Sequence, residues 1–142
     1  MHSILFCTFT IQSNDNKQMK IEVSNGEITD KLSIIEIKLK HIQDPDKRKN
    51  LQKEYEVLDK AVATIIKKDH PLYQELLQIN QELWDIEDRI RDLERAQDFG
   101  ADFVKTARAV YFTNDKRSEV KRQINELTGS NLVEEKSYQK YD

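Results

Sequence analysis

From Ser24 onward, apolar residues recur along the chain at intervals of four and three. Ile28, Leu32, Ile35, Leu39 and Ile42 form the first such series, spaced to line one stripe of a helix. Ser24 and Glu27 make a capping box ahead of it, with Gly26 in the first turn, so the first helix is predicted over 25–43. Asp44 as N-cap and Pro45 at the first helical position stop that helix and start a second over about 45–68. Its stripe is Leu51, Tyr55, Leu58, Val62 and Ile65, and Lys67 and Lys68 fall near the negative end of its dipole. Asp69 or His70 then caps a third helix, with Pro71 in its first turn. Leu72, Leu76, Ile79, Leu83, Ile86, Ile90 and Leu93 run without interruption along it to about residue 97, spaced as a coiled-coil seam. "QDFGAD" breaks the pattern, and a fourth helix is predicted from about 98–101 to Leu127, with Gly129 placed to end it. Loops of a few residues force consecutive helices to lie antiparallel. The predicted fold is all-α: an antiparallel bundle of about four long helices, with helices three and four as a coiled-coil-like hairpin.

Residues 1–18 differ. "SILFCTFTI" is rich in β-branched and aromatic residues, "QSNDNKQ" reads as a turn, and Ile21 and Val23 alternate with polar neighbours as in a half-buried strand. Two readings stay open: a short β-hairpin of 3–10 with 19–23, or an extension upstream of a domain starting at Met19. The division is thus an N-terminal extension over 1–18 and a helical domain over 19–142, with a polar tail from about 130.

The fourth helix carries the one anomaly in the pattern. Phe103, Ala107 and Val110 lead on the same stripe to Asn114, Arg117 and Lys121, and apolar character returns at Ile124. A small stutter would instead carry the seam from Val110 to Val120, Ile124 and Leu127. In the first register, "TNDKR" faces helix three, with Glu82 near Asn114 or Asp115, Asn80 near Arg117, and Glu75 near Lys121 or Arg122. Arg117 is then held by Asn80 or by an acidic neighbour such as Glu82, because a long cation on a seam must find a partner or snorkel out. The plain account is ion pairing between an acidic helix three and a basic helix four, which fixes register and adds little stability. The functional account is a partly buried polar pocket that takes an anionic ligand through Arg117, Lys121 and Asn114.

Composition narrows the classes. The chain has 142 residues, 35% of them charged, with three glycines and two prolines, which suits one domain of long helices. A net charge of −3 gives no basic excess of the kind nucleic acid requires. No apolar run reaches membrane-span length, and "MHSILFCTFTIQ" lacks the basic start and cleavage site of a signal peptide, so a cytoplasmic protein is expected with neither membrane nor nucleic acid as partner. Cys7 is the single cysteine, which excludes an internal disulfide and a cysteine-based zinc site.

Motifs for catalysis are sparse. Glu82/Asp85, Asp85/Asp88 and Glu56/Asp59 have the E-x-x-D or D-x-x-D spacing with which all-α nucleotide pyrophosphohydrolases hold Mg²⁺, but the usual E-E-x-x-E run is missing and such pairs arise easily in an acidic chain. Arg89, Arg91, Arg108, Arg117 and Lys121 do not follow the order of small helical chorismate mutases. His2, His41 and His70 are scattered, and no nucleophile elbow or glycine-rich phosphate loop is present. No metal site and no cofactor are predicted. The candidate ligand-binding residues are Asn114, Arg117 and Lys121, Glu82 opposite them, and Trp84 and Arg91 on helix three, where Trp84 also suits a core or interface anchor.

The segments "VSNGEITDKLSIIEIKL", "LWDIEDRIRDLE", "DFGADFV", "VYFTNDKRSEVKRQINELTGS" and "LVEEKSY" together resemble a family of small uncharacterised helical proteins, a domain of unknown function found in bacteria and bacteriophages. The resemblance runs from about Met19 to Tyr138. It implies no activity, but it marks Gly26, Glu27 and Asp30; Trp84, Glu87, Asp88 and Arg91; Asn114, Asp115 and Arg117; and residues 134–138. The leading expectation is a non-enzymatic binding or adaptor protein. The alternative is a small all-α enzyme acting on an anionic metabolite or nucleotide with Mg²⁺. Ile34 and Ile37 beside the first seam, and Leu77 and Trp84 beside the third, leave apolar edges that predict a homo-oligomer, with a further protein partner also expected.

Overall fold

A computed structural model describes residues 8–10 and 18–141. The helices are α1 (Asn25–His41), α2 (Pro45–Ala63), α3 (Pro71–Arg95) and α4 (Ala101–Thr128). Ahead of them, β1 (Thr8–Thr10) pairs antiparallel with β2 (Gln18–Lys20), Phe9 opposite Met19. The expected hairpin is therefore present in a shorter form. Its proposed residues 3–7 lie outside the described residues, and Ile21 is half exposed rather than buried.

The caps form as the sequence requires. Ser24 Oγ accepts the Glu27 N–H at 3.1 Å, Asp44 Oδ1 accepts the Lys47 N–H at 2.9 Å, and His70 Nδ1 accepts the Leu72 N–H at 3.2 Å. Gly129 ends α4 at φ 61°, a conformation that favours glycine. The second helix stops at Ala63, short of the expected residue 68. There the Thr64 hydroxyl bonds back to the Ala61 carbonyl at 2.7 Å, and Ile66 turns into the core. Lys68 consequently leaves the helix end and reaches Glu36 at 2.8 Å and Asp59 at 2.7 Å.

The first helix occupies the centre. It packs against α2, α3 and α4 alike, and every residue from Thr29 to Ile35 is buried. Ile34 and Ile37, expected to flank an exposed edge, are 4% and 1% exposed. They are covered within the chain, so they no longer argue for a second copy. The core gathers Leu32 and Ile35 of α1, Leu58 and Val62 of α2, Leu76, Ile79 and Leu83 of α3, and Val120 and Ile124 of α4. Burial on all sides forces the polar side chains of α1 to find partners inside the protein. That requirement builds the candidate site.

The fourth helix follows neither predicted register in full. Its buried residues are Thr106, Thr113, Val120, Ile124 and Asn125, with Arg117 half-way between Thr113 and Val120 on the same face, while Leu127 is exposed. Thr106 and Thr113, which neither register places on the seam, are buried on the inner face.

Candidate functional site

Asp30, one turn into α1, is 1% exposed. Its carboxylate receives two bonds from Arg117 of α4: Nε to Oδ1 at 3.0 Å and Nη2 to Oδ2 at 2.5 Å, a bidentate pair. Asn80 of α3 donates through Nδ2 to Asp30 Oδ1 at 2.8 Å and to Ser33 Oγ at 2.7 Å, and Ser33 in turn donates to the Asp30 carbonyl. Three helices thus meet on one carboxylate. Burial disfavours the Arg117 charge, yet the hydrogen bonds and charge of Asp30 outweigh it and hold the guanidinium's pKa above its ordinary value. Asn114 Oδ1 lies 3.4 Å from Arg117 Nη1.

One turn farther along α4, Lys121 Nζ bonds Glu27 Oε2 at 2.6 Å. Burial again opposes the charge, and Asp30 and Glu27 together raise the lysine's pKa. A further turn on, Asn125 Oδ1 accepts the Gly26 N–H at 2.6 Å, capping the start of α1 from another helix. The backbones come so close here that a Cβ on Gly26 would lie 2.5 Å from the Lys121 carbonyl oxygen. Only glycine fits.

Residues 130–141 return over α4 as an extended strap. Ser130 Oγ accepts the Asn25 N–H at 3.0 Å, Glu134 Oε2 reaches Lys121 Nζ at 3.3 Å, and Glu135 Oε2 reaches Arg122 Nη2 at 2.9 Å. Tyr141 donates its hydroxyl to Asp115 at 2.8 Å and packs at 5.1 Å from the rings of both Tyr111 and Phe112. Lys136 and Lys121 hold the Glu134 carboxyl below its ordinary pKa. Strap and helix enclose an open groove of about 770 Å³.

A second recess lies across the molecule, between the end of α1, the start of α2 and the middle of α3. Trp84 stacks on His41 with centroids 4.8 Å apart and lines the recess with Lys38, Ile42, Leu51, Glu54 and Arg91. Its volume is about 320 Å³.

The candidate residues therefore separate. Asn114, Arg117 and Lys121 gather at the junction of α1 and α4, and Trp84 and Arg91 gather in the recess. Glu82 joins neither; it is exposed on the outer face of α3 and is not the partner of Asn114 or Arg117. The expected ladder between α3 and α4 gives way to other pairings. Arg89 and Asp102 join the two helices, but Lys121 and Arg122 turn to Glu27 and Glu135. Asp30 is the residue that periodicity could not find, because a carboxylate on α1 looks like any solvated position until the helix is known to be buried. Asn80 was legible as a neighbour of Arg117, and it shares the carboxylate rather than holding the guanidinium. Of the E-x-x-D pairs, Asp59 is tied to Lys68, and no group of three or more His, Cys, Asp or Glu side chains among the described residues is arranged to hold a metal ion. No helix among them is long and apolar enough to cross a membrane.

Residues 19–141 match the family of unknown function DUF6165, and the chain belongs to that family. No curated protein and no solved structure matches it.

Proposed function

We propose that this member of the family is a non-enzymatic binding protein whose α4 face takes an extended segment carrying acidic and aromatic side chains. One observation carries the reading: the chain's own strap lies there in that manner, with carboxylates on Lys121 and Arg122 and an aromatic ring on Tyr111 and Phe112. Residues 131–141 remain exposed while they do so. They are held from one side only, through contacts of the kind that contribute little each when solvated, so an equivalent segment can replace them. Asn114, Arg117 and Lys121 belong to this reading as the rigid base beneath the face. Arg117 is committed to Asp30, and Lys121 is shared between Glu27 and the incoming carboxylate.

A strap that another segment can replace can also be exchanged between copies. The reading therefore includes a homo-oligomer, and its setting is the cytoplasm of a bacterial or phage-infected cell. The test uses a fluorescein-labelled peptide of residues 130–142 and full-length protein carrying Tyr141→Ala and Glu135→Gln, which loosen the resident strap. Anisotropy should report saturable binding to this variant at least tenfold tighter than to the unaltered chain. Arg122→Glu in the same background should weaken it, and a Glu135→Arg peptide should restore it. Equal binding to all forms, or none to the loosened form, defeats the proposal. A monomer by light scattering at tens of micromolar removes the oligomer alone.

A further inference from the structure

The recess between α1, α2 and α3 has features that the binding face on α4 does not use. Its floor is apolar, from Ile42, Leu51 and Trp84. Trp84 is fixed by its stack on His41, so the rest of its surface forms a stiff wall. Lys38 projects into the same space and, among the described residues, has neither a hydrogen bond nor an ion pair for its ammonium group. Neighbouring charges are already engaged. Glu54 is 2.8 Å from Lys31 Nζ, and Glu87 is 3.0 Å from Arg91 Nη2.

The geometry points to a small-molecule site in this recess for a compact aromatic monocarboxylate, its ring against Trp84 and its carboxylate on Lys38. Size supports the assignment, since about 320 Å³ is at the small end of ligand pockets and holds a one- or two-ring compound. Charge supports it as well. Lys38, Lys47 and Arg91 line the recess as cations and Glu54, Glu87 and Asp88 as anions, and Lys31 behind the lining neutralises Glu54 as Arg91 neutralises Glu87. One positive charge is left over, which a monoanion neutralises and a phosphate dianion overshoots. Burial also pushes the Lys38 ammonium below its ordinary pKa, with Glu54 acting against that and Lys31 adding to it. A bound carboxylate would relieve this unmet demand for a counter-charge.

The chain has one tryptophan, so Trp84 emission reads this site alone. The probes are 2-naphthoate and the neutral 2-naphthamide, titrated into the full-length protein. Naphthoate should quench Trp84 saturably and bind at least tenfold more tightly than the amide. Lys38→Met, with an unchanged circular dichroism spectrum, should erase that preference and leave weak, equal binding of both. Glu75→Gln on the opposite face of α3 should change nothing. If Lys38→Met does not fold, Lys38→Arg keeps the charge and should retain the preference for naphthoate. Equal affinity for acid and amide in the unaltered protein overturns the inference. So does a naphthoate preference that survives Lys38→Met, or a quench that never saturates.

Discussion

Replacing Asp30 by alanine tests whether three helices depend on one carboxylate. The side chain is 2% exposed, and the Arg117 side chain it holds is 12% exposed. The change removes both carboxylate bonds from the guanidinium and one of the two acceptors of the Asn80 amide, the other being Ser33 Oγ. Breaking one side of a buried ion pair costs about 3–5 kcal/mol, because the remaining charge stays out of water without its counter-charge. A domain of this size has about 5–15 kcal/mol in total. With a urea m-value of about 2 kcal/mol/M, the unfolding midpoint should fall by about 1.5–2.5 M. Circular dichroism at the helix band follows the transition. The double variant Asp30→Leu with Arg117→Met removes both charges together, and it should recover more than half of the loss, since an apolar pair of similar volume can replace a buried ion pair at little cost. Full recovery is not expected, because the Asn80 amide loses one of its two acceptors and keeps only Ser33 Oγ. A midpoint shift of less than about 0.25 M for Asp30→Ala would refute the reasoning, since changes at solvated positions stay within about 0.5 kcal/mol. So would a double variant whose loss equals the sum of the single Asp30→Leu and Arg117→Met losses, because independent sites add and coupled ones do not.

Two further outcomes follow from the same junction. Gly26→Ala puts a methyl group 2.5 Å from the Lys121 carbonyl oxygen, so α1 must move off α4; thermal unfolding should show a loss of about 1–3 kcal/mol, where an ordinary helix glycine would gain from the same change. The Glu134 carboxyl is held below its ordinary value of 4.5, so its contribution to strap docking is fully present above that pH and is lost as the pH falls through its lower folded value; the heteronuclear NOE of the amides over 131–141 should fall below pH 4.5 while that of α1 stays high.

The sequence read best where a local rule was sufficient. Ser24, Asp44, His70 and Gly129 set the helix ends because a cap is decided by its own side chain and a few neighbours. The seam of α3 is legible in part for the same reason, with Leu76, Ile79, Leu83 and Leu93 buried while Leu72, Ile86 and Ile90 are only partly so. Position in the bundle was not legible. Nothing in the 4-3 series of α1 distinguishes a helix with one apolar stripe from one enclosed on every side, since the difference lies in Thr29, Asp30, Lys31 and Ser33, polar residues that read as a solvated face. Arg117 was found because it interrupts an apolar stripe, whereas Asp30 interrupts nothing. The register of α4 is hidden in the sequence because Thr106 and Thr113 are buried yet do not register as hydrophobic. The strap looks in the sequence like a polar tail, and its side chains are exposed; only its partners on α4 reveal that it is docked.

The position of α1 also governs when this protein can finish folding. Arg117 is 87 residues beyond Asp30, and the Gly26–Asn125 bond spans 99. At about 5–20 residues per second on the ribosome, the partner of Asp30 emerges about 4–17 s after the aspartate itself. Through that interval α1 has α2 and then α3 to lie against, but the flank meant for α4 stays open to water. The loop to be closed is nearly the whole domain, and such long-range closure slows folding. A ribosome that stalls in the first half of α4, before residue 117, therefore displays the most buried helix of the finished protein, its aspartate still waiting for an arginine not yet made.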